Sequence, residues 1–330
     1  MRVHILDDWF DTLRHLPCFA KLAKHEVTVW NDHLTDPAPL AKRLMDAEVL
    51  VLFRERTPIT RDLIAKLPKL KLISQRSVYP HIDVDACTDH KVLLCSRLGD
   101  KAVSHAAAEM TWALVLAAMR DLPKQMASVK AGTWQAGVGK SLYGRQIGLF
   151  GYGRIGKVVA EYARAFSMGV VWWGSEAGRG RATAAGEIVA ASREAFFAES
   201  DIVSLHIRLN DATRASITGA DLAVMKPSSV LVNTSRAGLI APGALLAGLQ
   251  QGRPGVAAID VFDEEPLHDK NDALLAHPNL IATPHIGYVT EDELEVQFAD
   301  IFDQINAYAE GSPIHMVNPE VWTANAKTVP

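Results

Sequence analysis

Three glycines, Gly151, Gly153 and Gly156, are the residues of this 330-residue chain whose spacing most directly implies chemistry. They stand in the stretch Gln146 to Ala160, QIGLFGYGRIGKVVA, where a short apolar run of Ile147, Leu149 and Phe150 stops at Gly151 and an amphipathic pattern begins after Gly156. The order reads strand, tight turn, helix. In such a GxGxxG turn the first glycine allows the bend, the second lets the backbone approach a pyrophosphate, and the third lets helix pack on strand. The N–H groups that open the helix, around Arg154 and Ile155, then point at phosphate oxygens. Glycine turns are common for purely structural reasons; the setting between an apolar strand and a helix is what favours a dinucleotide here.

The elements that must hold this turn can be read on either side of it. Ahead of it, β-rich runs at Val3 to Leu6, Val27 to Trp30, Val49 to Phe53, Leu70 to Ser74 and Val92 to Leu94 alternate with helical stretches, two of which open at Asp36-Pro37 and Thr60. Such alternation indicates parallel βαβ units. A second series begins at Gln146, with strands at Val170 to Trp173, Ile202 to Leu205, Val230 to Asn233, Val256 to Asp260 and Leu280 to Ala282. Helices fit between them at Arg154 to Phe166, Arg193 to Ala198, Ala220 to Met225 and Pro242 to Gln251, while the polar stretch Gly174 to Gly186 reads as a loop where a ribose would sit. A last helical pattern, Glu291 to Glu310, brings the chain back toward the first series. The segment Lys101 to Arg120 is apolar on most sides, so it must be buried, either between domains or between subunits.

Composition narrows the partners. With 48% hydrophobic residues, 22% charged residues and a net charge of -4, neither a nucleic-acid surface nor a membrane surface is implied, and small molecules are the expected ligands. Trp112, Trp134, Trp172 and Trp173 are expected to pack, since no basic residues interleave them as a base-stacking platform would need. The longest apolar run, Ala106 to Met119, is broken by Glu109 and too short to span a bilayer, and the chain enters a strand-like MRVHIL at once. Cys18, Cys87 and Cys95 are odd in number and lack metal-ligand spacing, which fits a reducing compartment. A cytoplasmic protein without a metal site is expected.

The ordered set GYGRIG, NTSRAGLI, AIDVFDEEPL and TPHIG resembles the D-isomer-specific 2-hydroxyacid dehydrogenase family over nearly the whole chain, and it is far more specific than the glycine turn alone. The segment VLFRERTP and the ending GYVTEDE…GSPIHMVNPE resemble one subgroup with poorly defined substrates. The resemblance implies an α/β protein of two doubly wound parallel-sheet domains. A Rossmann dinucleotide-binding domain, residues 99–287, would be inserted into a flavodoxin-like substrate domain, residues 1–98 plus 288–330, with a cleft between them. Position by position, Arg236 matches the substrate-binding arginine, Glu265 the glutamate and His285 the acid/base. A 2-oxo acid needs a planar fork for its carboxylate, a proton supplied near neutral pH suits histidine, and a carboxylate beside the imidazole fixes its tautomer. Asp260 resembles the residue that holds the nicotinamide carboxamide, and Ser175, Thr234, Ser235 and Gly287 fall in the cofactor-lining motifs. Of the adjacent Glu264 and Glu265, only Glu265 fits the register. His4, His15, His25, His33, His90 and His268 have no motif around them and default to core or surface roles.

Two departures from the family pattern bear on specificity. Where NAD-preferring members commonly close the second strand with aspartate, this chain has Gly174-Ser175-Glu176, and Glu176 is placed to take the ribose diol. Arg179 and Arg181 in the same stretch would instead suit a 2′-phosphate, so NAD is expected and NADP possible. The substrate loop Gln75 to Asp83 contains no glycine, which leaves its backbone less free. Arg54, Arg76, Ser77 and Val78 are the substrate-binding candidates there, with an exposed surface role as the alternative for the two arginines. If Arg54 and Arg76 face the same ligand as Arg236, their charges must be matched by substrate anions or by protein carboxylates such as Glu55, and a second anionic or strongly polar substrate group is expected. The resemblance further implies a homodimer pairing through the nucleotide domain, here through Lys101 to Arg120. An NAD(H)-sensing corepressor that binds peptide motifs is the competing function on this scaffold, and the intact Arg-Glu-His set favours the enzyme.

Overall fold

A computed structural model of the protein describes residues 1–98 and 105–326. They fall into two compact units, one taking the residues up to 98 together with those from Thr290 on, the other running from 105 to Val289.

In the first unit, β1 (Arg2–Ile5), β2 (Glu26–Val29), β3 (Val49–Val51), β4 (Leu72–Arg76) and β5 (Leu93–Arg97) form a parallel sheet in the order β2-β1-β3-β4-β5. This is the flavodoxin-like order, in which ligands bind beyond the carboxyl ends of the strands. Every residue of β3 is buried, as expected where both faces of a parallel sheet are covered. The helix Glu291–Ala309 returns to this sheet and buries Leu294, Phe298, Ile301, Phe302 and Ile305 at helical spacing. Its start is set by Thr290, whose hydroxyl accepts the N–H of Glu293 (3.2 Å), and by Glu291, Asp292 and Glu293 in the positive first turn. Polar groups lock it to β4: the Ser74 hydroxyl donates to the Ile301 carbonyl (2.9 Å), and the Gln304 amide donates to the Gln75 carbonyl (3.2 Å). Cys18, Cys87 and Cys95 are buried and unpaired in this unit, where desolvation pushes each thiol up to about 12.

The second unit holds β6 (Gln146–Phe150), β7 (Gly169–Trp173), β8 (Ile202–Leu205), β9 (Val230–Asn233), β10 (Val256–Ile259) and β11 (Leu280–Ala282), all parallel, in the order β7-β6-β8-β9-β10-β11. A single bridge from Trp172 to Val189 adds a rudimentary strand outside β7. Counting it, the sheet has the Rossmann order, with its switch point between β6 and β8. One face is covered by the helices Ala106–Arg120 and Arg154–Ala165, the other by Phe196, Phe197, Leu222, Leu245 and Leu249. On the first face Trp112 stacks on Phe166 at 4.8 Å between centroids, worth about 0.5–1.5 kcal/mol beyond the area it buries.

One expectation needs correction. The stretch Gly174 to Gly186 is not a loop: Glu176–Ala184 is a helix, opened by Ser175, whose hydroxyl accepts the Gly178 N–H (3.2 Å). Gly178 and Gly180 lower its helix propensity, but Ala182 is fully buried and anchors it. The apolar segment Lys101 to Arg120 is described in part. Residues 101–104 lie outside the described residues, and Ala106–Arg120 packs on its own unit, against the helix Arg154–Ala165 and β9, β10 and β11. It reads as apolar on most sides because it is rich in alanine, which carries little surface to cover.

Candidate active site

The three glycines at the end of β6 are required for three different reasons. Gly151 has φ +118, and a Cβ there would sit 2.5 Å from the His206 carbonyl oxygen. At Gly156 a Cβ would lie 2.8 Å from the Gly151 carbonyl oxygen and 3.2 Å from the Trp172 ring, so this glycine sets how closely helix meets strand. A Cβ at Gly153 would meet nothing nearer than 3.7 Å. Only Gly153 is free of protein crowding, and it caps the helix Arg154–Ala165 with extended backbone. The residues therefore fit a pyrophosphate: the open side of Gly153 and the first N–H groups of a twelve-residue helix, around Arg154 and Ile155, form an anion-binding corner.

A cavity of about 390 Å³ adjoins this turn, bounded by Gly151, Gly153, Ser175, Arg181, His206 and Thr213 among others. Ser175 caps the 176–184 helix, and Glu176, its first residue, is exposed and outside the cavity wall. Arg179 is held away: its guanidinium donates to the Gly174 carbonyl (2.6 Å) and stacks over Trp173 at 4.3 Å. His206 was not anticipated. It stands at the end of β8, beside the switch point, with its ring on the Ser204 hydroxyl (2.9 Å), and burial pushes it down to about 4, leaving it neutral. Its place one residue past a strand end was the available signal.

At the carboxyl ends of β9, β10 and β11 the polar residues interlock. Ser235 donates its hydroxyl to the Leu205 carbonyl (2.7 Å), and its N–H donates to the Asn233 side chain (3.0 Å), so Ser235 shapes the turn that carries Arg236. The Asn233 amide also donates to the Arg236 carbonyl (2.9 Å), and Arg236 Nη1 donates to the Ser235 carbonyl (2.7 Å). Thr234 shares a 2.8 Å hydrogen bond with Thr111 of the 106–120 helix. Glu265 and His285 meet directly, Nδ1 to Oε2, at 2.6 Å, with their side chains 32% and 25% exposed. Burial would raise the Glu265 carboxyl, but the hydrogen bonds from His285 and the Phe262 N–H, with the nearby charges of His285 and Arg236, hold it below the usual range.

His285 has φ +55, a left-handed conformation that a residue with a β-carbon adopts only under constraint. Asp260 supplies that constraint. It is fully buried, and its carboxylate accepts from the Thr283 hydroxyl (2.5 Å), the Ile286 N–H (3.0 Å) and the Gly287 N–H (2.7 Å), gripping the turn on both sides of His285. Gly287 is needed at that contact, since a Cβ would stand 3.0 Å from Asp260 Oδ2. Burial pushes the Asp260 carboxyl up against the opposing pull of these donors. The ring of Tyr288 meets His285 edge-on at 5.5 Å.

The remaining substrate candidates belong to the first unit. Arg54 lies just beyond β3 with φ +60, and Ser77 just beyond β4 with φ +83. The absence of glycine from the 75–83 loop therefore does not keep its backbone from the left-handed region. Arg76 ends β4 and pairs with Asp300 at 3.0 Å, and Arg97 pairs with the same carboxylate at 2.6 Å. The sequence reading left open a protein carboxylate as the partner of Arg76 and named Glu55; the partner seen is Asp300, which arrives from the 291–309 helix. Val78 is 40% exposed.

Known proteins resemble the chain over most of its length. Residues 112–287 match the family model of the D-isomer specific 2-hydroxyacid dehydrogenase, NAD binding domain. A glyoxylate reductase from Thermococcus litoralis is 30% identical over 316 residues, covering 91% of this chain and 93% of that protein. A D-3-phosphoglycerate dehydrogenase from Methanocaldococcus jannaschii is 36% identical over 275 residues, 82% of this chain but 52% of that protein, so the chain spans about half of that longer relative. Among solved structures, a phosphoglycerate oxidoreductase from Vibrio cholerae is similar with a TM-score of 0.88 and 44% identity, over 94% of this chain and 99% of that one.

Proposed function

Because the chain belongs to the D-isomer-specific 2-hydroxyacid dehydrogenase family, we propose that it interconverts a 2-oxo acid and the matching 2-hydroxy acid with a nicotinamide dinucleotide, working as a 2-oxoacid reductase. The observation that carries this reading is the 2.6 Å contact between Glu265 and a His285 held in a left-handed turn. With Nδ1 engaged by Glu265, Nε2 is the atom left to carry a proton to the substrate carbonyl oxygen, and the carboxylate fixes the orientation of the ring. Arg236 offers a planar fork that orients the substrate carboxylate and polarises the 2-oxo group. The dinucleotide supplies or accepts the hydride at substrate C2. Three of the roughly four acceptor positions of the Asp260 carboxylate are taken by the His285 turn, so its first task is to position His285, with one position left for a carboxamide.

For the cofactor we propose NAD(H) as the preferred dinucleotide. Glu176 disfavours a 2′-phosphate, Arg179 is engaged elsewhere, and of the two arginines on the cavity wall Arg193 is paired with Asp221, so any use of NADPH should depend on Arg181. We also propose a homodimer. Its support is the segment after the 106–120 helix, where Leu122, Met126, Val129, Trp134, Val138 and Tyr143 are all exposed. A run of exposed apolar side chains of this size marks an association surface. Sedimentation as a monomer at micromolar concentration would reject it. The three buried, unpaired cysteines fit a reducing compartment, and we place the protein in the cytoplasm. No helix among the described residues is long and apolar enough to cross a membrane.

The decisive experiment is a panel of 2-oxo acids with NADH and with NADPH, followed by loss of reduced-nicotinamide absorbance. Turnover with at least one 2-oxo acid, lost in His285→Gln while dinucleotide binding persists, is the expected result. Absence of turnover across the panel, with intact cofactor binding, would reject the enzymatic reading.

A further inference from the structure

A second cavity, of about 370 Å³, lies wholly inside the unit that runs to Val289 and shares no lining residue with the one beside the glycine turn. Its floor is apolar: Ile240, Leu245, Ile259 and Val261 are buried there, with Leu246 and Leu274 half-buried beside them. Its charges are of one sign. Asp263, Glu264 and Asp272 line it, and no lysine, arginine or histidine does. The Asp263 and Glu264 side chains take no hydrogen bond or ion pair among the described residues, and Asp272 uses one carboxylate oxygen, Oδ1, on the Leu275 N–H (2.9 Å). The volume falls in the range of small-ligand sites, and an apolar cavity with a few polar groups is their usual form. Set against an apolar floor, the carboxylates favour a ligand with an apolar body and a positive head.

The cavity wall is continuous with the turns that carry Arg236 and Glu265. Asn233, buried in that wall, accepts the Ser235 N–H (3.0 Å) and donates to the Arg236 carbonyl (2.9 Å), and Ala237 follows Arg236 in the chain. On the β10 side, Phe262 donates its N–H to Glu265 Oε1 (2.9 Å), and Glu264 precedes Glu265. We propose that this cavity is an effector site for a small organic cation, a protonated primary amine on an aromatic or aliphatic body. An occupant packed against Ala237 and Phe262 holds the Arg236 and Glu265 turns in one arrangement, so occupancy pre-organises them and lowers KM for the 2-oxo acid. The binding stands on the cavity alone; the effect on KM rests on the reading of the chain as a 2-oxoacid reductase.

Phenethylamine, 2-phenylethanol and 3-phenylpropionate have nearly one shape with positive, neutral and negative heads. Each is titrated calorimetrically into the full chain with saturating NADH, so that the dinucleotide cavity is taken. Phenethylamine is expected to saturate, roughly three- to a hundredfold tighter than the alcohol, with the acid weaker still. Combining Asp263→Asn with Glu264→Gln should weaken the amine roughly two- to thirtyfold, and Ala241→Phe, which fills the cavity, should abolish its binding. Equal affinity for amine and alcohol, no saturation with the amine at millimolar concentration, or binding untouched by these variants overturns the site. Should Ala241→Phe not fold, the carboxylate pair decides alone. With phenethylamine bound, KM for the 2-oxo acid is expected to fall roughly two- to thirtyfold. Oxamate, an unreactive 2-oxo acid mimic, should tighten the amine by the same factor, as linkage requires. A constant KM with the site occupied overturns the effector role. Absence of turnover with every 2-oxo acid, alongside saturable amine binding, defeats the reductase reading and leaves the site standing.

Discussion

Replacing Gly153 by alanine is the sharpest probe of the dinucleotide turn, because the protein and the ligand respond to it differently. The nearest protein atom to a new Cβ is the His206 carbonyl oxygen at 3.7 Å, an ordinary contact, and the extended backbone at this position suits alanine. Exchanging glycine for alanine at a helix N-cap costs at most about 1 kcal/mol. The ligand has no such room. A methyl group pushed against a bound pyrophosphate is an over-packing problem of about 1–3 kcal/mol, or roughly five- to 150-fold in Kd. Gly151→Ala and Gly156→Ala are the controls. The first combines φ +118 with a 2.5 Å clash, and the second places a Cβ 2.8 Å from the Gly151 carbonyl oxygen, so both should destabilise the free protein by about 1–5 kcal/mol. Urea unfolding and NADH titration by tryptophan fluorescence measure the two quantities. Wild-type NADH affinity in Gly153→Ala would refute the reasoning, and so would a loss of stability as large as in Gly156→Ala.

Three further outcomes are expected. Asp260→Ala, which orphans the Thr283 hydroxyl and the Ile286 and Gly287 N–H groups, should lower kcat more than about tenfold and stability by about 1–3 kcal/mol; wild-type turnover would show that the His285 turn holds itself. Glu265 is held below its ordinary range in the folded state, so its contribution to stability is present above its unfolded pKa of 4.5 and fades as pH falls through the lower folded value. Urea melts of wild type and Glu265→Gln should therefore differ at pH 7, by no more than about 1 kcal/mol for so exposed a pair, and converge in acid; a gap that widens in acid reverses the sign and rejects the assignment. Because Arg76 is already paired with Asp300, Arg76→Ala should weaken monocarboxylic and dicarboxylic 2-oxo acids alike, whereas a loss confined to the diacid in Arg54→Ala would identify Arg54 as the reader of a second anionic group.

How much of this was legible depended on the range of the interactions. The β6 turn could be read because its glycines encode backbone geometry locally, and the strands VLV, IVSL and VLVN because burial on both faces writes a continuous apolar run. Arg236, Glu265 and His285 were singled out through an ordered set of motifs, and the structure adds the contact between the last two. The helix Glu176–Ala184 was hidden by two glycines and by a cap, Ser175 on the Gly178 N–H, that composition does not register. Asp260 was read for its family position, but its three donors include backbone N–H groups from a distant turn, and any residue type carries those. The Asp300 partner of Arg76 is likewise tertiary, brought in by a helix from the far end of the chain. Ser77 is left-handed without being glycine, and its carbonyl accepts from the Gln75 amide at 3.1 Å and the Ser96 hydroxyl at 2.7 Å, contacts that the local sequence does not announce.

The distribution of the cysteines has a practical consequence. All three thiols of the chain, Cys18, Cys87 and Cys95, sit inside the first unit, and the unit that carries the glycine turn has none. With their thiols pushed up to about 12, they are inert toward alkylating reagents until that core opens. The molecule is therefore supplied with a reporter of opening confined to one half. A thiol-exchange rate measured with and without NADH would compare a signal from one unit with a ligand of the other. Slowing by ligand would mean that the two halves open as one cooperative block, and indifference would mean that they open separately.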